Sequence, residues 1–291
     1  MSVRSAHARP FDPEVDRVNL WWSAFIVFAS SALSIIALLL VRRFSPHGGH
    51  FDDTNRAVGV FTILATSFSV LFAFVVFFAF GSYDRSQTSA EIEAQVTTQQ
   101  FETAQLFNDA DASILSAQLR CYARSVIFQE WPAMQRGEVL RSNEWDVDLL
   151  ISIERVKPTT SDQQAGFEKW LDLRSDREQA RDQRSLGEEG IIPSPLWFVI
   201  LISCGLVWAF VFLFADRGEG AVVQSMLIGS VTAILVAGLL LIVFLDQPYR
   251  PGSGSLQPTA MEQSLEQMEN LAHSMNVEMP NLCDEKGKAI R

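Results

Sequence analysis

Apolar residues gather in four long blocks, Leu20–Val41, Val58–Phe80, Leu196–Ala215 and Ala221–Leu245, each free of Asp, Glu, Lys, Arg and His. A helix needs about 20 such residues to cross the hydrocarbon core of a bilayer, so each block predicts a transmembrane helix. The first is too long for the apolar core of a secretory signal, which runs to about 7–15 residues, and no clear small-x-small cleavage site follows it. Blocks one and two are joined by RRFSPHGGHFDDTNRA and blocks three and four by DRGEG, which makes each pair a tight antiparallel hairpin.

Between the hairpins the period changes. Apolar residues recur at three- and four-residue spacing, the signature of amphipathic helices, and no strand-like alternation occurs. Ile114, Leu115, Leu119, Tyr122 and Val126 form a stripe that should stop at Trp131-Pro132; Trp145, Leu149 and Ile153 form a second. Ser161 with Gln164 has the spacing of a capping box and opens a third helix, with Phe167, Trp170 and Leu171 on one face. Beyond the last block, the loop Gln247–Pro258 leads to another such box, Thr259-x-x-Glu262, and a stripe of Met261, Leu265, Met268, Ala272 and Met275. This helix has many Glu and hardly any Lys or Arg, so it is expected to pack on the soluble region rather than lie on lipid. The predicted fold is all-α: a segment 1–18, a transmembrane hairpin 19–80, a soluble helical region 81–192, a second hairpin 193–246 and a tail 247–291 with an amphipathic helix.

Charge sets the orientation and removes one class of partner. The chain carries 23 basic against 34 acidic residues, a net charge of -11, with no basic cluster large enough to follow a phosphate backbone, so nucleic acid is excluded. An even number of crossings puts both termini and the central region on one side. Arginines near helix ends are more numerous there than in the short loops, which hold Arg42, Arg43, Arg56 and Arg217, and this count favours cytoplasmic termini. The three cysteines are too few and too scattered for a disulfide framework and read as structural.

Candidate chemistry is sparse. The four histidines are scattered; His47 and His50 with Asp52 and Asp53 form the one local cluster that could hold a metal, but such a polar loop ordinarily is a solvated turn. No enzyme, metal or cofactor is expected. The membrane blocks hold no carboxylate or histidine of the kind a proton-coupled transporter uses. Their polar residues, such as Thr62, Thr66, Ser69, Gln224 and Thr232, suit helix packing or a pore lining. The second block is dense in phenylalanine, including Phe74 and Phe77, so its rings must serve helix or lipid packing or, around an axis of several copies, a hydrophobic constriction. Arg174, Arg177, Arg181 and Arg184 share one helical face, placed either to pair with acidic residues such as Glu91 and Glu93 or to ring a vestibule with positive charge. The central region opposes the second reading, since 81–192 holds 12 basic against 20 acidic residues.

FAFGSYDRSQTSAEIEA at the end of the second block, followed in order by EWP (Glu130–Pro132), the arginine repeat, IIPSPLW and LDQPYRPGSG, resembles the bestrophin-like domain family of bacterial membrane proteins and, more distantly, bacterial bestrophins. The resemblance spans about Phe51–Leu271. It implies a multi-pass protein of the bacterial inner membrane with a cytosolic helical body. It further implies a homo-oligomer, a pentamer in bestrophins, around an axis lined by the second transmembrane helix. Carried over through Tyr83, the resemblance puts Phe77 in the neck with Ala73 and Ser69 above it; a small register shift substitutes Phe74 and Val70. GSGSLQPTA, where animal bestrophins carry an acidic calcium clasp, has no carboxylate, so calcium gating is not expected. The leading expectation is an oligomeric channel for inorganic ions, favouring cations, in the lipid bilayer. The alternative is a non-conducting scaffold or sensor whose soluble helices bind a partner.

Overall fold

The computed structural model describes residues 13–44, 53–138, 143–187, 190, 192–216, 218, 220–252 and 254–290, with 13–19 and 54 described in backbone only. In chain order the helices are α1 (Pro13–Phe44), α2 (Thr54–Ala104), α3 (Asp109–Ser125), a π-helical turn (Val126–Glu130), α4 (Trp131–Gln135), α5 (Glu144–Arg155), α6 (Ser161–Ser185), α7 (Ser194–Leu213), α8 (Ala221–Asp246) and α9 (Thr259–Met275). No strand is present among the described residues; one isolated bridge joins Cys283 and Ala289. The chain divides into two compact units, Phe11–Ser82 with Gly190–Gln247 and Tyr83–Glu189 with Pro248–Arg291.

The first unit holds α1, the apolar half of α2, α7 and α8, and these four helices are long and apolar enough to cross a membrane. Their outward surfaces are mostly apolar, including Trp21, Phe28, Ile63 and Met226. Lipid tails solvate such side chains as well as a protein core does, so association here relies on close packing and a few polar contacts. Leu38, Ala215 and Ile228 form one buried cluster; Val75, Ile200 and Ile242 form another. A Cβ on Gly238 would stand 2.5 Å from Phe72 Cζ, so this glycine is what admits the ring against α8. Gln224 and Thr232 are buried and accept from Arg42 Nη1 at 3.3 Å and Trp208 Nε1 at 3.2 Å, which makes them packing residues between helices. At the end of α8, Asp246 Oδ1 accepts from the Ile192 amide at 2.8 Å, joining the entry of α7 to the exit of α8.

The second unit is a helical body around Phe101, Leu119, Tyr122, Trp131, Leu149 and Trp170, closed on one side by Met261, Met268 and Ala272 of α9. Thr98 and Ser264 hydroxyls lie 2.7 Å apart where α9 crosses α2. Helix starts follow local chemistry: Asn108 and Asn143 cap α3 and α5 by accepting from Asp111 N and Trp145 N. The box that opens α6 stands one residue earlier than its spacing suggests. Thr160 Oγ1 accepts from Gln163 N, and Gln163 Oε1 accepts from Thr159 N, because Thr160 rather than Ser161 has the extended backbone of a cap. At α9, Thr259 is already helical and Pro258 occupies the cap position.

Two expectations are corrected here. The α3 stripe does not stop at Trp131-Pro132: the chain stays helical to Gln135 through the π turn, and Pro132 sits in the first turn of α4, where its missing N–H costs least. The cysteines, too scattered in sequence for a framework, nevertheless include one pair. Cys121 and Cys283 form a disulfide across a separation of 162 residues, while Cys204 is free and buried. Spacing hid the pair because α9 carries the tail back over α3.

Candidate functional site

Two places gather the residues singled out in the sequence, one in each unit. In the membrane unit α2 is two-faced. Val75 and Ala79 are buried, Phe72 packs on Gly238, and Phe61 meets Phe214 with ring centroids 5.6 Å apart. The opposite side is open: Thr62, Thr66, Ser69, Ala73 and Phe77 are all exposed and follow one another at three- and four-residue steps, so they form one stripe along the helix. Thr62 and Ser69 return their hydroxyls to the carbonyls of Val58 and Ala65, both at 2.8 Å, which satisfies the donors and leaves polar oxygen at the surface. Phe77 is 70% exposed, and its ring meets that of Phe78 edge-on at 6.0 Å. Phe74 and Val70 are exposed on the adjoining stripe.

In the second unit the arginine repeat of α6 turns inward. Arg184 is 1% exposed and lies between two carboxylates: Nε meets Glu93 Oε2 at 2.5 Å and Nη2 meets Glu130 Oε2 at 2.7 Å. Arg181 joins the same Glu130 at 3.0 Å, and Arg177, wholly buried, donates to Asp146 at 2.8 Å. Three guanidinium groups and three carboxylates thus share one buried network of balanced charge. Aromatic rings complete it: Arg177 stacks over Tyr122 at 4.4 Å, Arg184 over Trp131 at 5.5 Å, and the Tyr122 hydroxyl donates to Glu93 at 2.6 Å.

Each ionisation follows from these neighbours. Burial by itself raises the Glu130 carboxyl, but the charges and hydrogen bonds of Arg184 and Arg181 outweigh it and hold Glu130 below the ordinary carboxylate value. Asp146 goes the other way: burial raises it, and Arg177 and Arg181 only partly compensate. Burial, with Glu93 nearby, pushes the Tyr122 phenol well up. Arg184, which burial would lower, is raised well above its usual value by Glu93 and Glu130. Each carboxylate is thus met by at least one guanidinium, and the network is an electrostatic joint linking α2, the π turn, α5 and α6.

Of the four arginines, Arg174 stands apart, paired with Glu178 one turn on. Glu91 is exposed and accepts from Gln87, so of the two partners expected from the sequence only Glu93 enters the network. Sequence reasoning missed Glu130, Asp146 and Tyr122, which come from three other stretches of chain. Glu130 was visible only as the first residue of the EWP piece, and Tyr249 of LDQPYRPGSG bonds the Arg184 carbonyl at 2.9 Å. Among the described residues no group of three His, Cys, Asp or Glu could hold a metal; His47, His50 and Asp52 lie outside the described residues.

The family model described as bestrophin-like domain matches residues 28–261. None of the curated proteins compared matches the sequence. Among solved structures, a bacterial bestrophin homologue from Klebsiella pneumoniae is similar in two single-substitution variants. One gives a TM-score of 0.60 at 12% identity, covering 86% of this chain and 99% of that one; the other gives 0.61 at 11%, covering 88% and 99%. A structure described as a membrane protein gives 0.63 at 10% identity, covering 90% and 100%.

Proposed function

Because the chain belongs to the bestrophin-like domain family and is an integral membrane protein with four apolar helices, we propose that it is a homo-oligomeric ion channel whose pore is lined by α2. The observation that carries this reading is the exposed stripe Thr62, Thr66, Ser69, Ala73 and Phe77. Hydroxyl groups gain nothing from facing lipid tails, whereas around an axis they would line a path for ions, with Phe77 as the apolar constriction at its end. The arrangement of this stripe favours Phe77 over Phe74 as the neck, since the stripe through Phe74 carries Ile63 and Val70 at the positions matching Thr62 and Ser69. Bestrophins assemble as pentamers, and the same number is proposed here.

Cations are the favoured ions, because the region 81–192 carries 20 acidic against 12 basic residues and the buried ion-pair network, balanced in itself, leaves that excess outside it. The membrane is the bacterial inner membrane with both termini cytoplasmic, as the arginine count near the helix ends favours. Current across a planar bilayer containing purified oligomer, in asymmetric NaCl, tests the proposal. Unitary currents with a cation-selective reversal potential are expected, changed strongly by Phe77→Ala and less by Phe74→Ala. A silent bilayer from well-folded oligomer would replace this reading with the non-conducting scaffold.

A further inference from the structure

The tail after α9 crosses back over the second unit as an extended strap, 276–290, whose backbone carbonyls accept from side chains of α3, the π turn and α5. Ser113 Oγ donates to the Glu278 carbonyl at 2.5 Å, Arg120 Nη2 to Pro280 at 3.1 Å, Gln129 Nε2 to Lys286 at 2.9 Å and Trp145 Nε1 to Gly287 at 2.7 Å. Near its end the strap makes a tight turn in which Asp284 Oδ1 accepts from the amides of Lys286 and Lys288, and Gly287 takes φ +77°. A Cβ at Gly287 would overlap the backbone of Arg124 and Ser125, so the turn lies directly on the chain where α3 becomes the π turn. That turn carries Glu130, the carboxylate shared by Arg181 and Arg184. The Cys121–Cys283 bond fastens the strap to α3 one helical turn earlier.

We propose that the strap is a redox-operated clasp: with Cys121–Cys283 closed it clamps the π turn that positions Glu130, and reduction lets it lift. This rests on the cytoplasmic orientation proposed above, since disulfides in reducing compartments are rare and those that form there are commonly transient or redox-sensing. The chemistry is thiol–disulfide exchange with a dithiol reductant. One thiolate of the reductant attacks Cys283 Sγ, and Cys121 leaves as a thiolate and takes a proton. The second reductant thiol then displaces Cys283, ending as a reductant disulfide and two protein thiols. Both sulfurs are buried, Cys121 at 0% and Cys283 at 1% exposure, so the strap must part first. Its apolar anchors, Val277, Met279, Leu282 and Ala289, are only partly buried, which makes that local opening far less costly than unfolding the unit.

Hydrogen exchange on the full-length oligomer, oxidised and then reduced, tests the clasp. Amides of 277–290 and of 124–131 should exchange at least about tenfold faster after reduction and recover on reoxidation, while Cys283→Ser exchanges fast in both conditions. Gly287→Ala, which keeps the bond but displaces the turn, should speed exchange at 124–131 and within the turn 284–288, and leave 277–282 protected. Equal protection of both segments in the oxidised and reduced wild type would overturn the proposal. A companion measurement traps thiols in acid-quenched cells and probes the tail with protease added to spheroplasts. The closed fraction should rise with oxidant and fall with dithiol, with the tail protected. A bond always open, or always closed behind a protected tail, overturns the clasp alone; one always closed on a tail cut from outside overturns the orientation and the clasp with it.

Discussion

In the first half of α2 the exposed positions hold Phe74, Phe77 and Phe78 and the buried ones Val75 and Ala79; in the second half the exposed positions hold Asp84, Gln87 and Glu91 and the buried ones Glu93, Thr97 and Gln100. One helix therefore carries its largest apolar groups outward along one stretch and one carboxylate, Glu93, inward along the next. In the membrane half no solvent penalty drives a ring into the protein, and the packed face selects small residues that let helices approach. In the second half the core has room for Glu93 only because Arg184 and Tyr122 meet it with charge and hydrogen bonds. Exposure reports the surroundings of each stretch, and polarity must be read against them.

The contrast breaks most sharply at Arg184. Arg184→Met leaves Glu93 and Glu130 buried without their shared cation and should cost about 3–5 kcal/mol, read as a lowered unfolding temperature of the purified protein; a variant as stable as the wild type would mean the carboxylates are not held by this charge. Glu130→Gln tests the same joint by pH. The Glu130 carboxyl is held below its ordinary 4.5, so its ionised form contributes stability that is present above that value and lost as pH falls through the lowered one. The difference in stability between wild type and Glu130→Gln should accordingly narrow on acidification below about pH 4.5. Asp146, raised above 3.8, acts with the opposite sign, and its protonation relieves a cost, so Asp146→Asn should show no such narrowing.

On the membrane side, Gly238→Val should cost about 1–3 kcal/mol by forcing Phe72 off α8, and pairing it with Phe72→Leu should recover much of the loss in a detergent unfolding series. Arg177→Lys keeps the charge beside Asp146 but gives up the flat stacking on Tyr122, for a loss of about 1 kcal/mol in the same assay. Phe77→Ala, at an exposed site, should stay within about 0.5 kcal/mol of wild type, so that any change in current it produces belongs to conduction and not to folding.

The four membrane helices were legible because length and the absence of charge suffice for them, and the soluble helices because Leu119, Tyr122, Trp145 and Leu149 repeat at helical spacing. The arginine face of α6 was legible as a face. Its partners were not, since Glu93, Glu130 and Asp146 lie 91, 54 and 31 residues from their arginines and no local pattern encodes which carboxylate of several will be buried. Pro132 misled for a related reason: a proline reads as a stop unless the preceding turn widens, and nothing in VIFQE announces a π turn.

The position of the disulfide also orders events during synthesis. Cys121 leaves the ribosome 162 residues ahead of Cys283, with α7 and α8 between them. Its thiol must wait, unpaired, while the second hairpin enters the bilayer and α9 docks. Closure of the bond is thus a late event: it cannot precede the synthesis of α7, α8 and α9, and every chain passes through a stage with Cys121 reduced before the strap exists to meet it.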